Sequence, residues 1–409
     1  MPESRNLKKF LHQWGGTTGA FFAYTHFSHD LCAGLLVALL PLIRVDLELN
    51  YLQSGLLISA YSIAAGLSQF PGGWIGDRAN RKIIIMVGLG GVGLAALAVG
   101  LSPSYFLMLS FLVIMGIFAG GYHPSALSIL SGYFGKAERG KVIAIHMLGG
   151  SIGLALGPVL GGFIGDILGW RSAYIILTIP ILLALPLVLK TPRQQLYGDR
   201  AASSAPTNDG TPVKPTYKLS SLWQVLRPIA MISILAILIQ LVVGCAIAFF
   251  PIYMVDKHNL APAYAAMFLG IFRGGGVAGS LLGGWLSDRW GRKNTIILPL
   301  LAIGPILYLL TKLPFNTVFI VIFVLFGVIM YMRIPAMQAM LMDNTPPHFR
   351  ATVTGIYIGL GMEGMSIIQP IAGRLMDIWG IAQVFNIIAL ISVGLSVVAL
   401  FLAKRIKLR

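Results

Sequence analysis

His26 and Asp30 stand one helical turn apart inside a long apolar stretch of this sequence. A carboxylate in a low-dielectric setting can load and release a proton, and an imidazole at i−4 can share it. The alternative for Asp30 is a structural network tying two helices together. His29 adjoins Asp30 but points roughly 100° round a helix. His123 lies in a second apolar stretch and offers another titratable ring. Later in the chain Arg273, Arg333 and Glu363 are also set among apolar residues. Arginine does not realistically deprotonate. Its planar fork suits an oxyanion such as a phosphonate or carboxylate. If Glu363 neutralises one arginine, the other is left for an anionic ligand; alternatively both are locked into helix–helix pairs. Glu363 is thus either a second proton carrier or an arginine's partner. Tyr122 and Tyr253 add amphipathic contact surface, and Gln240 and Gln369 add amides that need partners away from water.

The elements that hold these groups follow from composition. Residues are 56% hydrophobic and 11% charged, against about 25% charged in a soluble domain. The run Ile83–Leu101 is uncharged and 19 residues long, enough to cross ~30 Å of hydrocarbon as a helix. No alternating pattern of short strands appears, so an all-α polytopic membrane protein is predicted rather than a barrel. Twelve spans are read, at 19–43, 52–75, 83–101, 105–133, 141–167, 171–190, 224–254, 262–286, 294–312, 315–342, 351–376 and 382–403. Residues 191–223 are polar and rich in Pro, Ser and Thr, as a flexible linker is. Twenty-three Lys and Arg fall on one set of loops and the tails, and five on the other set. That bias predicts both termini and the linker on the cytoplasmic side of the cell's inner (plasma) membrane. It also explains the net charge of +16 without a nucleic-acid partner. No signal peptide is read at the start. Cys32 and Cys245 fall in apolar segments and read as packing residues rather than a disulfide.

The chain repeats itself. "GGWIGDRANRK" (Gly72–Lys82) returns as "GGWLSDRWGRK" (Gly283–Lys293). Pro41, Pro124, Arg139, Pro158 and Asp166 find mates in Pro251, Pro335, Arg350, Pro370 and Asp377, all at offsets of 210–212. The reading is two six-helix halves, 1–190 and 224–409, joined by the linker 191–223. An even number of spans makes the repeat parallel, about an axis along the membrane normal. Such pairs hold a site that opens to alternate sides, so transport is expected. A duplicated scaffold without transport is the alternative.

This pattern resembles the major facilitator superfamily, whose signature after spans 2 and 8 is Gly-x3-Asp-Arg-x-Gly-x-Arg-Lys. Gly284, Asp288, Arg289, Gly291, Arg292 and Lys293 fit it, and so do Gly73, Asp77, Arg78, Arg81 and Lys82, with Asn80 at the second glycine. Asparagine tolerates positive φ, which suggests that the turn survives. The resemblance implies a conformational latch at these residues, closing and opening the cytoplasmic side. Span 5 carries "GLALGPVLGG" (Gly153–Gly162), similar to the signature of the superfamily's drug/proton antiporters. Its glycines at four-residue spacing, with Gly157, Pro158, Gly161 and Gly162, admit a neighbouring helix closely. "THFSHDLCAGLLVALLP" (Thr25–Pro41) and "GGYHPSA" (Gly120–Ala126) resemble the fosmidomycin-resistance exporters. No arginine precedes Gly116 by four residues, since Leu112 stands there, which leaves the proton role to His123 or to the other half. The resemblance implies a proton-driven exporter of small, anionic or amphipathic compounds. It is expected to work as a monomer in the bilayer with no bound cofactor. A lipid or lysolipid flippase and an uptake symporter of the same fold are the rivals.

An enzyme has little support. There is no phosphate-binding P-loop and no His-Glu-x-x-His, and the histidines are scattered without clustered metal ligands.

Overall fold

The computed structural model of the protein describes residues 16–78, 81–134, 136–190, 219–345 and 364–405. Glu363, Asn80 and the linker 191–218 lie outside them, as do the side chains of residues 72–74, 76–78, 81 and 219–229. Of the charged side chains in the first copy of the repeated motif, Lys82 is the one described. Among the described residues there are helices, short turns and no strand.

The helices are α1 (Gly16–Ala33), α2 (Leu35–Asp46), α3 (Tyr51–Arg78), α4 (Arg81–Gly100), α5 (Tyr105–Tyr133), α6 (Lys136–Leu168) and α7 (Trp170–Lys190). They continue with α8 (Leu219–His258), α9 (Pro262–Trp290), α10 (Arg292–Lys312), α11 (Thr317–Asp343), α12 (Ile368–Trp379) and α13 (Ile381–Arg405). A 3-10 turn, Gly364–Ile367, leads into α12. Eleven of the predicted spans have a helix in register, and the first is broken by a turn at Gly34. The eleventh is described only from residue 364 onward. Ten of these segments are long and apolar enough to cross a membrane. Gly169, Gly291 and Gly380 turn the chain between helices at φ of +80° to +85°. Gly291 combines φ 82° with ψ 156°, a region open essentially to glycine.

Two compact units form. One comprises residues up to Leu36 with Ala60–Lys214; the other comprises Val37–Ser59 with Pro215–Arg409. In the first unit α1 lies along α6. A methyl group at Gly149, Gly153 or Gly157 would run into the backbone carbonyls of Ala23, Phe27 or Leu31. Between apolar helices in lipid, dispersion contacts of this kind replace the hydrophobic drive available in water. Pro158, Gly161 and Gly162 are buried further along α6.

The second unit is built on α9 against α11, where Gly279 and Gly283 meet the carbonyls of Val328 and Met332. Aromatic rings fill its core. Phe250 stacks on Phe323 at 4.3 Å, beside Phe272, Phe319 and Phe326. The stretch Val37–Ser59 is held to this unit by polar contacts near its turn. Arg44 pairs with Asp256 at 2.7 Å and lies over the Tyr51 ring, whose hydroxyl donates to Asp256 at 2.6 Å. Asp377 accepts from the N–H groups of Tyr51 (2.8 Å) and Leu52 (3.1 Å), so it caps α3 from another element. Cys32 and Cys245 are both free and buried.

Candidate functional site

Two polar clusters stand in apolar surroundings, one in each unit. In the first unit, α1 brings His26, His29 and Asp30 against His123 of α5 and His146 of α6. Asp30 is 7% exposed and His26 and His29 are buried with it. Its Oδ2 is 3.2 Å from His26 Nε2, and its Oδ1 is 2.8 Å from His29 Nδ1 and 3.9 Å from His123 Nε2. The His26 ring is fixed from behind, because its Nδ1 lies 2.8 Å from the backbone carbonyl of His146. His146 in turn places Nδ1 2.9 Å from the carbonyl of Phe22. Tyr122 is fully buried, stacks on His29 at 5.0 Å and shares a 2.8 Å hydrogen bond with Thr25.

These contacts fix where hydrogens must be. A carbonyl only accepts, so His26 Nδ1 carries a hydrogen. In a neutral imidazole Nε2 then presents a lone pair. That lone pair would face Oδ2 of an ionised Asp30, which also offers only lone pairs. Two acceptors at 3.2 Å repel, and one proton shared between them turns the repulsion into a charge-assisted hydrogen bond. The pair therefore needs one proton beyond neutral His26 and ionised Asp30. His29 donates through Nδ1 to Oδ1, which leaves its Nε2 as a buried acceptor with no partner among the described residues.

Sequence reading finds the His26–Asp30 pair and His123, since i,i+4 spacing and an apolar setting mark them. Two readings are corrected here. His29 does not point away from Asp30: Tyr122 stacks on its ring and turns Nδ1 back onto the neighbouring carboxylate. Nor are the histidines spatially scattered. Four of seven converge, and the donor atoms of His26, Asp30 and His123 lie within 4.8 Å of one another. His146 escapes sequence reading because nothing local ties it to α1. Its one signal is its place a turn before Gly150 in the glycine-rich span.

In the second unit Arg333 of α11 is 3% exposed, and its guanidinium donates to the Gln240 side chain of α8. Arg273 of α9 is half-buried. Tyr331, partly exposed, is on the same helix as Arg333. Its ring rests on Gly276, three residues beyond Arg273. Tyr253 is buried elsewhere in this unit, stacked on Phe385 at 4.0 Å with Lys257 Nζ 2.8 Å from its hydroxyl. Gln369 of α12 is buried beside Ser59, whose hydroxyl donates to the carbonyl of Ser366.

A family model described as Major Facilitator Superfamily matches residues 22–367. The chain belongs to that superfamily. It is 27% identical over 281 residues to a probable hexose phosphate transport protein of Chlamydia pneumoniae, covering 62% of this chain and 60% of that one. The chain thus spans about three fifths of that relative's length. It is 31% identical over 147 residues to a tetracenomycin C resistance and export protein of Streptomyces glaucescens, covering 35% and 27% of the two chains. In fold it is similar to a bacterial homolog of the human lysosomal transporter Spinster, solved inward-facing and unoccupied. The TM-score is 0.77 at 18% identity, covering 98% and 97%. Its ten long apolar segments accord with a multi-pass member of the superfamily.

Within this superfamily chain the second copy of the repeated motif is a local ion network. Arg292 pairs with Asp343 at 3.0 Å and Asp288 at 3.3 Å, and donates to Ser287 at 2.9 Å. Arg289 lies over the Trp285 ring at 4.6 Å. Lys82 donates to the carbonyl of Leu189 at 2.6 Å, tying α4 to the end of α7. Gly73, Asp77, Arg78, Arg81 and Glu363 fall outside the described side chains.

Proposed function

We propose that this superfamily member is a proton-coupled exporter in which Asp30 and His26 carry the coupled proton. The observation that carries the reading is the 3.2 Å approach of His26 Nε2 to Asp30 Oδ2 with Nδ1 committed to a carbonyl. The pair gains or loses one proton at a buried site on a helix packed closely against the glycine stripe of α6. His123, 36% exposed at its side chain, is the member of the cluster open enough to pass that proton on. Exchange rather than cotransport is supported by the antiporter-like pattern Gly153–Gly162 and by the similarity to a resistance and export protein. The transmembrane proton gradient is the energy source. Both termini and the linker face the cytoplasm of the inner membrane, as the Lys and Arg bias supports.

The test uses energised everted vesicles and a pH-sensitive dye, with solutes taken from a resistance screen. An exchanged solute added outside releases protons from the acidic lumen and restores the dye signal. Asp30→Asn keeps the size of the side chain but cannot ionise. It is expected to remove that signal with the protein present at the wild-type level. Full solute-driven proton movement in this variant overturns the assignment.

A further inference from the structure

We infer that Arg333, with Gln240 hydrogen-bonded to it, is the binding site for a compact oxyanion group on the transported solute. This rests on the transport reading and adds the substrate's chemistry to it.

Arg333 stands near the middle of an apolar helix with 3% of its surface exposed. Its charge does not titrate away. Among the described residues its hydrogen-bond partner is a neutral amide, Gln240, and no carboxylate pairs with it. Its Nε is buried with no hydrogen-bond partner among those residues. A guanidinium held this way has a donor edge unfilled and a positive charge that the described protein groups do not balance, which is the arrangement an oxyanion completes. The surroundings supply further suitable groups. Tyr331 of the same helix rests its ring on Gly276 of α9, the helix that also carries Arg273. Its phenol is a hydrogen-bond donor, and the Gln240 amide contributes donors of its own. Gln240, Arg273, Tyr331 and the adjoining Gly274 and Gly275 are all partly exposed, and Gln240 brings an accessible polar group onto the buried arginine. The glycines matter to that opening. A methyl at Gly276 would come within 3.1 Å of the Tyr331 ring, so side chains there would displace it.

The shared ligand chemistry is a small group with two or more oxygens sharing negative charge: a phosphate or phosphonate ester, or a carboxylate. Equilibrium binding in detergent, without a membrane, separates this inference from proton coupling. Purified protein is titrated with inorganic phosphate, methylphosphonate, benzoate or choline, and unfolding temperature and intrinsic tryptophan fluorescence are followed. The oxyanions are expected to stabilise the protein and choline to leave it unchanged. Preference between the phosphorus acids and benzoate tells the two sources apart. Arg333→Gln is expected to weaken oxyanion binding at least about tenfold. Arg333→Lys keeps the charge but loses the fork, and should retain part of it. Ligand-free Arg333→Gln is expected to unfold at or above the wild-type temperature, because it removes a buried charge that no described group balances. No oxyanion effect on the wild type, or equal binding by Arg333→Gln, overturns the inference. So does a marked fall in the ligand-free unfolding temperature, which makes Arg333 a structural tie. Failure of Asp30→Asn to affect coupling would leave this binding result standing.

Discussion

At the scale of single residues, the proposed coupling depends on which atom holds a hydrogen. The carbonyl of His146 sets the tautomer of His26, and His26 then determines what Asp30 must do. Spacing alone revealed the His26–Asp30 pair, because residues four apart share a helix face. It could not reveal His146, which acts through its backbone carbonyl from 120 residues away. It also misdirected His29, since a rule about Cβ directions says nothing of how a ring turns once a tyrosine stacks on it. The same cluster offers a sharp test at Gly150. A methyl there would strike the His26 imidazole, which is held at both nitrogens. Gly150→Ala is therefore expected to displace the ring and break the Asp30 contact. Loss of one charge-assisted hydrogen bond, ~1.5–3 kcal/mol, corresponds to roughly a tenfold or greater fall in solute-driven proton flux. Flux in everted vesicles, normalised to protein amount, measures it; wild-type flux would show that the ring does not carry the proton.

At the scale of elements, the helices were legible and their mutual distances only partly so. Apolar runs long enough to cross the bilayer gave most described helices to within a few residues. The break at Gly34 was not marked, because apolar character continues through it. The four-residue glycine spacing in span 5 reads as a close neighbour, and the helix lying there is α1, which carries His26 and Asp30. Two glycines of equal helical standing should then respond in opposite directions. Gly153 faces the carbonyl of Phe27, which is backbone and cannot swing aside. Gly153→Ala is expected to cost ~1–3 kcal/mol through overpacking. Gly394, inside α13, has open space where a methyl would go. Gly394→Ala is expected to gain ~0.5–1 kcal/mol, because alanine surrenders less freedom on becoming helical. A maleimide dye that reacts with Cys32 and Cys245 only once they are exposed reads both effects as shifts in unfolding temperature. A lower temperature for Gly394→Ala would refute this account of the two sites.

At the scale of the whole molecule, the duplication was plain in the sequence and the allegiance of Val37–Ser59 was not. That stretch belongs by sequence to the first half, yet it packs within the compact unit that holds the second. The residues responsible, Arg44, Tyr51, Asp256 and Asp377, look like ordinary polar residues at span ends, and nothing in their spacing joins them. Asp377 is the decisive one, because a carboxylate at a helix N-terminus satisfies exposed N–H groups and meets the positive end of the dipole. It takes the N–H groups of Tyr51 and Leu52 at once. Removing it should cost ~0.5–2 kcal/mol. If the stretch leaves and rejoins this unit during transport, that cost shifts the balance toward release by roughly two- to thirtyfold. Ser54, fully buried two residues beyond Leu52, is the place to observe it. A Ser54→Cys protein labelled with a membrane-impermeant maleimide should react slowly, with little background from the buried Cys32 and Cys245. Adding Asp377→Ala should raise the labelling rate severalfold. Adding Asp166→Ala, the repeat mate, should not, because Asp166 is exposed. Equal rates with and without Asp377 would mean that the apolar contacts of Ala38 with Ala266 and Leu269 hold the stretch by themselves, and that Asp377 is no part of the moving joint.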